Sequence, residues 1–155
     1  EARVRGLEIE AKAHINKSLN VIASYAYLNS RMIKANADAS GRTLQGKSLE
    51  RVPRHQAAFW VEYQPVSALH LDAGVRYQGS NFGDADNTLA LPARTLVDAS
   101  IRYDAEQLSP SLKGMTLQLT ASNLFNKEYI GYCLNEIQCF YGQGRTVQAS
   151  LRYKW

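Results

Sequence analysis

Val147-Gln148-Ala149-Ser150-Leu151-Arg152-Tyr153-Lys154-Trp155 decides the fold of this chain. Val147, Ala149, Leu151, Tyr153 and Trp155 occupy every second position, with Gln148, Ser150, Arg152 and Lys154 between them. Successive side chains of a strand point to opposite sides, so the segment is a ribbon with one apolar and one polar face. A soluble sheet has such ribbons too. Here the same ribbon recurs along the whole chain with tyrosines at its ends, which is the pattern of a transmembrane β-barrel.

Period-two alternation predicts seven strands. Leu7, Ile9, Ala11, Ala13 and Ile15 alternate with Glu8, Glu10, Lys12 and His14 in the first, about residues 4–15. The others fall at about 20–30, 54–63, 68–78, 94–104 and 113–123, with the quoted segment as the seventh. Each is about ten residues long, enough for a strand tilted about 45° to cross the hydrocarbon. A spanning helix needs roughly 20 consecutive apolar residues, and none of its apolar runs approaches that. Mean hydropathy is −0.34, as alternation demands. The bulk figures allow one domain over residues 1–155, and nine tyrosines against four phenylalanines favour a membrane interface.

The connections alternate in length. Residues 16–19, 64–67 and 105–112 are short; 31–53, 79–93 and 124–143 are long and polar. Outer-membrane barrels have short turns on one side and long loops outside the cell. On that scheme Tyr63, Tyr103 and Tyr153 end strands on the short-turn side, and Tyr27 and Tyr77 on the long-loop side, forming two aromatic girdles. A β-sandwich with one wet face per sheet also alternates, but does not account for uniform spans, girdles and a charged inner face together. Seven strands do not close a single-chain barrel, and open edges are not tolerated in lipid. The chain, which begins at Glu1, is therefore expected to be the C-terminal portion of a larger barrel.

Several motifs point to chemistry and are rejected. Residues 41–48, from Gly41 to Gly46-Lys47-Ser48, match the P-loop pattern, but no buried strand precedes them and Pro53 stops any following helix. His14, His55 and His70 lie on different strands at no ligand spacing, so neither a metal site nor catalysis is expected. The net charge of +4 is spread among both signs rather than gathered into a nucleic-acid footprint. Glu62, Asp72, Arg76, Asp98, Arg102 and Arg152, with Glu8, Glu10 and Lys154, share the inner face. They line either a hydrated lumen or a protein element held inside it. Cys133 and Cys139 lie close together in a polar loop, and an oxidising compartment would close them into a small ring.

Five stretches together resemble the late barrel strands of TonB-dependent siderophore receptors. They are Arg5 to Ala11, Asn20 to Tyr27, Val52-Pro53-Arg54-His55, Gly74 to Ser80, and Asn123-Leu124-Phe125-Asn126-Lys127-Glu128-Tyr129. The cysteine pair, Phe140-Tyr141-Gly142 and Gly142-Gln143-Gly144-Arg145 extend the likeness, which is strongest for the ferrichrome and hydroxamate branch. The resemblance implies an all-β, antiparallel, 22-stranded barrel in the bacterial outer membrane, of which this chain supplies the last seven strands. It further implies an N-terminal plug inside the barrel, energy from TonB, a ferric siderophore as cargo and no resident cofactor. Tyr129, Tyr132, Phe140 and Tyr141 are the candidate ligand contacts. Tyr153 and Trp155 resemble the signal read by the barrel-assembly machinery. A passive porin, a receptor for another ligand and an outer-membrane enzyme are the rival readings.

Overall fold

The computed structural model describes residues 1–134 and 137–155. One antiparallel sheet of seven strands carries the chain: β1 (Ala2–Asn16), β2 (Leu19–Met32), β3 (His55–Val66), β4 (Leu69–Gln78), β7 (Arg94–Asp104), β8 (Met115–Ser122) and β11 (Thr146–Tyr153). They pair in that order as a meander, each strand with its neighbour in sequence among the long ones. The two small hairpins, β5 (Asn81–Phe82) with β6 (Ala90–Leu91) and β9 (Ile130–Cys133) with β10 (Cys139–Tyr141), lie within the second and third long loops. The expected long, polar loops are thus partly folded. The ten-residue estimate is also too short for the first hairpin, since β1 and β2 stay paired out to Ala2 and Met32. The connection after β7 is two 3₁₀ turns, Ala105–Gln107 and Pro110–Leu112.

Register decides which face each residue takes. Val21 pairs with Val61, Val61 with Ala73, Ala73 with Ala99, Ala99 with Ala121 and Ala121 with Val147. Odd positions oppose odd positions across all seven strands, and the register shifts fall at the turns, at His14/Asn16 and Tyr63/Val66. No bulge turns a strand over between the turns. The odd face exposes Leu7, Ile9, Phe59, Val75, Ile101, Leu117, Leu119 and Leu151, a surface that only lipid satisfies. Even positions line the hollow side, where Glu62, Asp72, Arg76, Asp98, Arg102, Gln118 and Thr120 bound a cavity of 810 Å³.

The tyrosines form a staircase. Tyr63 shares a rung with Leu71 and Ile101, and Tyr103 lies one rung nearer the short turns. Tyr103 shares a rung with Leu117 and Leu151, and Tyr153 lies one rung beyond. On the loop side Tyr27 pairs with His55, and Tyr77 lies one rung inward of that level. Both girdles therefore descend one rung, two residues, for every two strands crossed. At about 3.4 Å per residue and about 4.8 Å between strands, rings kept at one membrane depth require a tilt of about 35°. That is the inclination of strands in outer-membrane barrels.

Candidate functional site

The hollow face is polar and internally paired. Arg76 binds Asp98 through two parallel bonds, Nε to Oδ2 at 2.5 Å and Nη2 to Oδ1 at 3.0 Å. Ser100 Oγ donates to Asp72 Oδ2 at 2.7 Å, and Asn20 Nδ2 donates to Glu62 Oε2 at 3.3 Å. Trp60, on this same face, lies flat over Gly74, where a Cβ would come within 2.3 Å of the indole. Arg102 reaches both the large hollow and a smaller groove near the short turns, and Arg152 borders only the latter, with Asp104 and Lys154. Toward the long loops a second hollow of 530 Å³ follows, lined by Glu10, Gln56, Arg76, Gln78, Arg94 and Tyr129 among others.

Asn123 joins this face to the third loop. The Asp98 carboxylate accepts the Asn123 backbone N–H at 2.9 Å, and the Asn123 amide donates to the carbonyls of Lys127 and Gln143. Lys127 N–H returns a bond to Asn123 Oδ1 at 2.8 Å. Asn123 and Asn126 both have positive φ, 50° and 52°, a conformation asparagine tolerates better than bulkier residues. Asn126 Oδ1 then accepts the Arg145 N–H at 2.8 Å. The two asparagines of the 123–129 stretch therefore start the loop and staple its return.

The four candidate aromatics do not form one patch. Tyr132 and Phe140 stack, ring centroids 4.9 Å apart and planes 18° from parallel, across the β9–β10 hairpin. Tyr129 stands apart, with the Arg94 guanidinium 4.6 Å over its ring and Gly142 against its edge. A Cβ on Gly142 would lie 1.9 Å from Tyr129 Cε2, so only glycine fits there. Tyr141 is 79% exposed. The same hairpin carries a Cys133–Cys139 disulfide with Cα atoms 4.0 Å apart, and Cys133 is fully buried.

Three loops meet at that disulfide. Arg51, at φ 60°, donates Nη2 to the Cys133 carbonyl at 2.9 Å, lies 5.7 Å over the Tyr132 ring, and donates its N–H to the Phe82 carbonyl. From the second loop, Gly83 packs against Cys133, where an added Cβ would come within 3.3 Å. The Asn87 side-chain amide exchanges two bonds with the Ser48 backbone, 2.7 and 2.9 Å. Alternation does not reveal Arg51, Arg94 or Asn87, whose partners lie 36 to 82 residues away, nor Gly142, whose role depends on Tyr129 across the loop. The glycine next to an aromatic and the asparagines at turn positions were the available signals.

Two loop carboxylates are held ionised. Hydrogen bonds from the Ser40 hydroxyl, and then from the Arg42 backbone, lower the Asp38 carboxyl from 3.8 to about 2. Burial raises Asp84, but bonds from the Thr88 hydroxyl and the Leu89 and Thr88 amides outweigh it and bring it below 3.8. Within the 41–48 stretch, Gly41 and Gly46 have φ of 79° and 81°, and Gly46 and Lys47 pair with Met32 as a turn. No helix follows, so the match to a P-loop carries no phosphate cradle. Among the described residues no cluster of His, Cys, Asp and Glu has metal-site geometry.

Residues 1–124 match the family profile described as TonB dependent receptor-like, β-barrel. The chain belongs to that family. These receptors are outer-membrane proteins, which agrees with the lipid-facing odd positions. Over its full length the chain is 36% identical to the ferrichrome outer membrane transporter/phage receptor of Escherichia coli K12, of which it spans 20%. It is also 36% identical to the ferrioxamine receptor of Yersinia enterocolitica, covering 96% of this chain and 20% of that protein. The crystal structure of the siderophore receptor PiuA from Acinetobacter baumannii superposes with a TM-score of 0.82, at 27% identity, over 99% of this chain and 22% of that one. The chain thus spans about a fifth of the length of the receptors it matches.

Proposed function

We propose that residues 1–155 are one continuous segment of the barrel of an outer-membrane receptor that takes up a ferric siderophore of the hydroxamate class, energised through TonB. The observation that carries this reading is the continuity from Tyr129 at the loop mouth, through the Arg94 guanidinium over its ring, to the hollow bordered by Arg76 and its partner Asp98. Relatives named for ferrichrome and for ferrioxamine give the ligand class. Tyr129, Tyr132, Phe140 and Tyr141 pack on the iron complex, while Glu62, Asp72, Arg76, Asp98, Arg102 and Arg152 face the plug. Polar pairing suits that contact, because a plug that must move is better held by hydrogen bonds and charge than by an apolar seam. Iron passes as cargo, with no resident cofactor and no bond chemistry. Tyr153 and Trp155 serve the assembly machinery.

The test is uptake of radioiron-loaded ferrichrome and ferrioxamine by cells expressing the full-length receptor, with and without TonB. Saturable uptake that vanishes without TonB is expected. Uptake unaffected by loss of TonB means a passive porin instead, and no uptake of either hydroxamate overturns the ligand class.

A further inference from the structure

Asp98 and Asn123 are two of the three buried polar residues among those described, and they meet where the third long loop leaves the wall. The β7–β8 ladder ends at Ala99 with Ala121, although β7 itself extends to Arg94. Beyond that rung Leu124 N–H donates to the Val97 carbonyl at 2.7 Å, and the Asn123 N–H goes to the Asp98 carboxylate at 2.9 Å. The same carboxylate takes both bonds from Arg76. From Asn123 the contacts continue outward. Its side chain exchanges two bonds with the Lys127 backbone, and the Tyr129 carbonyl then accepts the Gly142 N–H. β4, β7 and β8 all have sheet neighbours on both sides, so this arrangement owes nothing to a sheet edge.

A carboxylate is a costly choice for this place. Any acceptor, the oxygen of an asparagine or a serine included, would satisfy the Asn123 N–H. A buried carboxylate must also be compensated as a charge, and among the described residues Arg76 is the cation that pairs with it. Without that cation the charge is left buried with a single N–H, a strongly unfavourable state, and the carboxylate turns toward the water of the hollow. The anchor of the loop is therefore conditional on Arg76. Of the three residues Arg76 is also the most open: its side chain is 48% exposed against 9% for Asp98, and it borders both the 810 Å³ and the 530 Å³ hollows.

We infer that Asp98 is a positioning residue for ligand capture: it ties the root of the third loop to Arg76, so that the pose of Tyr129 depends on what Arg76 meets in the hollow. An acidic side chain of the element inside the barrel, by drawing Arg76 away, removes the charge that holds Asp98 and so loosens Asn123. Linkage makes the effect reciprocal. A ligand that fixes Tyr129 holds Asn123, Asp98 and Arg76 in place and opposes that withdrawal. Capture at the mouth is thereby felt on the hollow face through the wall, with no contact between cargo and Arg76. The inference deepens the proposed function and rests on it for the identity of cargo and occupant, not for the anchor itself.

The experiment follows amide hydrogen exchange in the purified full-length receptor without siderophore, resolved to single residues by mass spectrometry. Arg76→Gln should speed exchange at Asn123 and Lys127 on the order of 10- to 100-fold, the effect of losing a hydrogen bond to a charged group. Exchange at Leu117 and Leu119, inside the β7–β8 ladder, should stay as in the parent. Adding Asp98→Asn to Arg76→Gln should restore most of the protection, because a neutral amide oxygen accepts the Asn123 N–H without needing a cation. Asp104→Asn, which removes a carboxylate bonded to β8 through Thr116, should change neither amide. Ferrichrome affinity, measured on the same proteins, should fall on the order of 10-fold with Arg76→Gln and recover in the double variant. A heat-modifiable band on gels confirms that each variant is folded. Should Arg76→Gln fail to assemble, Arg76→Lys, which keeps the charge but loses the two-bond fork, is read by the same criterion. Parent-level exchange at Asn123 in Arg76→Gln overturns the tie to Arg76, and loosening that Asp98→Asn does not repair overturns charge balance as its cause. Repaired exchange with unchanged affinity in every variant overturns the role in capture. Should ferrichrome bind not even the parent, the ligand class fails, and the tie between Arg76 and the third loop stands or falls on exchange alone.

Discussion

The seven-stranded sheet and the three-loop cluster above it are held together in opposite ways. In the sheet, order is spread evenly: every rung adds backbone hydrogen bonds, and the odd side chains between the girdles add apolar area against lipid. Lipid forbids unpaired backbone groups, so the ladder is obligatory whatever the side chains do. In the loops, order is concentrated in a few residues. Asn123, Asn126, Asn87, Arg51 and one disulfide do most of the fastening. A barrel wall therefore tolerates most exchanges that respect its two faces, Gly74 beneath Trp60 excepted, whereas one added methyl group at Gly142 collides with Tyr129.

The contrast is broken most severely at the last strand. Deleting Tyr153–Trp155 removes the exposed aromatic pair whose rings lie 6.4 Å apart, together with the Lys154 bond to Gly114. The full receptor should then fail to accumulate in the outer membrane, measured by immunoblot of membrane fractions. Normal accumulation would leave Trp155 as a girdle residue only.

Within the wall, face should matter more than position. Val61→Arg, on a lipid-facing rung between the girdles, is expected to cost about 2–4 kcal/mol in denaturant unfolding. Thr120→Arg, on the hollow face, should cost far less. Comparable losses at the two positions would mean that odd and even faces do not differ as assigned.

In the loops the effect should be local. Gly142→Ala drives Tyr129 from beneath Arg94, an overpacking cost of about 1–3 kcal/mol confined to that loop. Barrel unfolding should be unchanged while siderophore affinity falls, as read by equilibrium binding to the purified receptor. Cys133→Ser with Cys139→Ser should be milder, because so small a ring constrains few residues and contributes about 2 kcal/mol at most. The barrel should stay folded, with weaker capture through a looser Tyr132–Phe140 stack. Unchanged affinity in that double variant would remove the bridge from recognition.

The smallest effect is a titration. Asp38 has its carboxyl lowered in the folded loop, so its contribution is fully present above the ordinary value of 3.8 and is lost as pH falls through about 2. The amide resonances of Ser40 and Arg42, which donate to Asp38, should titrate with a midpoint near 2. A midpoint at 3.8 would show that the turn is not formed in solution.

Much of this molecule is legible without tertiary structure. Alternation alone assigns Leu71, Val97 and Leu119 to one face and Asp72, Asp98 and Gln118 to the other, because the pleat forces parity on every residue of a strand. Strand number, turn asymmetry and the rejection of the P-loop likeness follow from equally local rules. Closeness in sequence also points to the Cys133–Cys139 pair. The tilt recorded by Tyr63, Tyr103 and Tyr153 needs register, which is a relation between strands and not a property of any one of them. The direct pairing of Arg3 with Arg31 across β1 and β2 is of the same kind. So are the separation of Tyr129 from Tyr132 and Phe140, the grip of Arg51 on Cys133, and the clasp of Asn87 on Ser48, all made by residues distant along the chain. Period and composition are fixed by near neighbours and survive in the bare sequence; specific long-range contacts carry no period, and only the folded chain decides them.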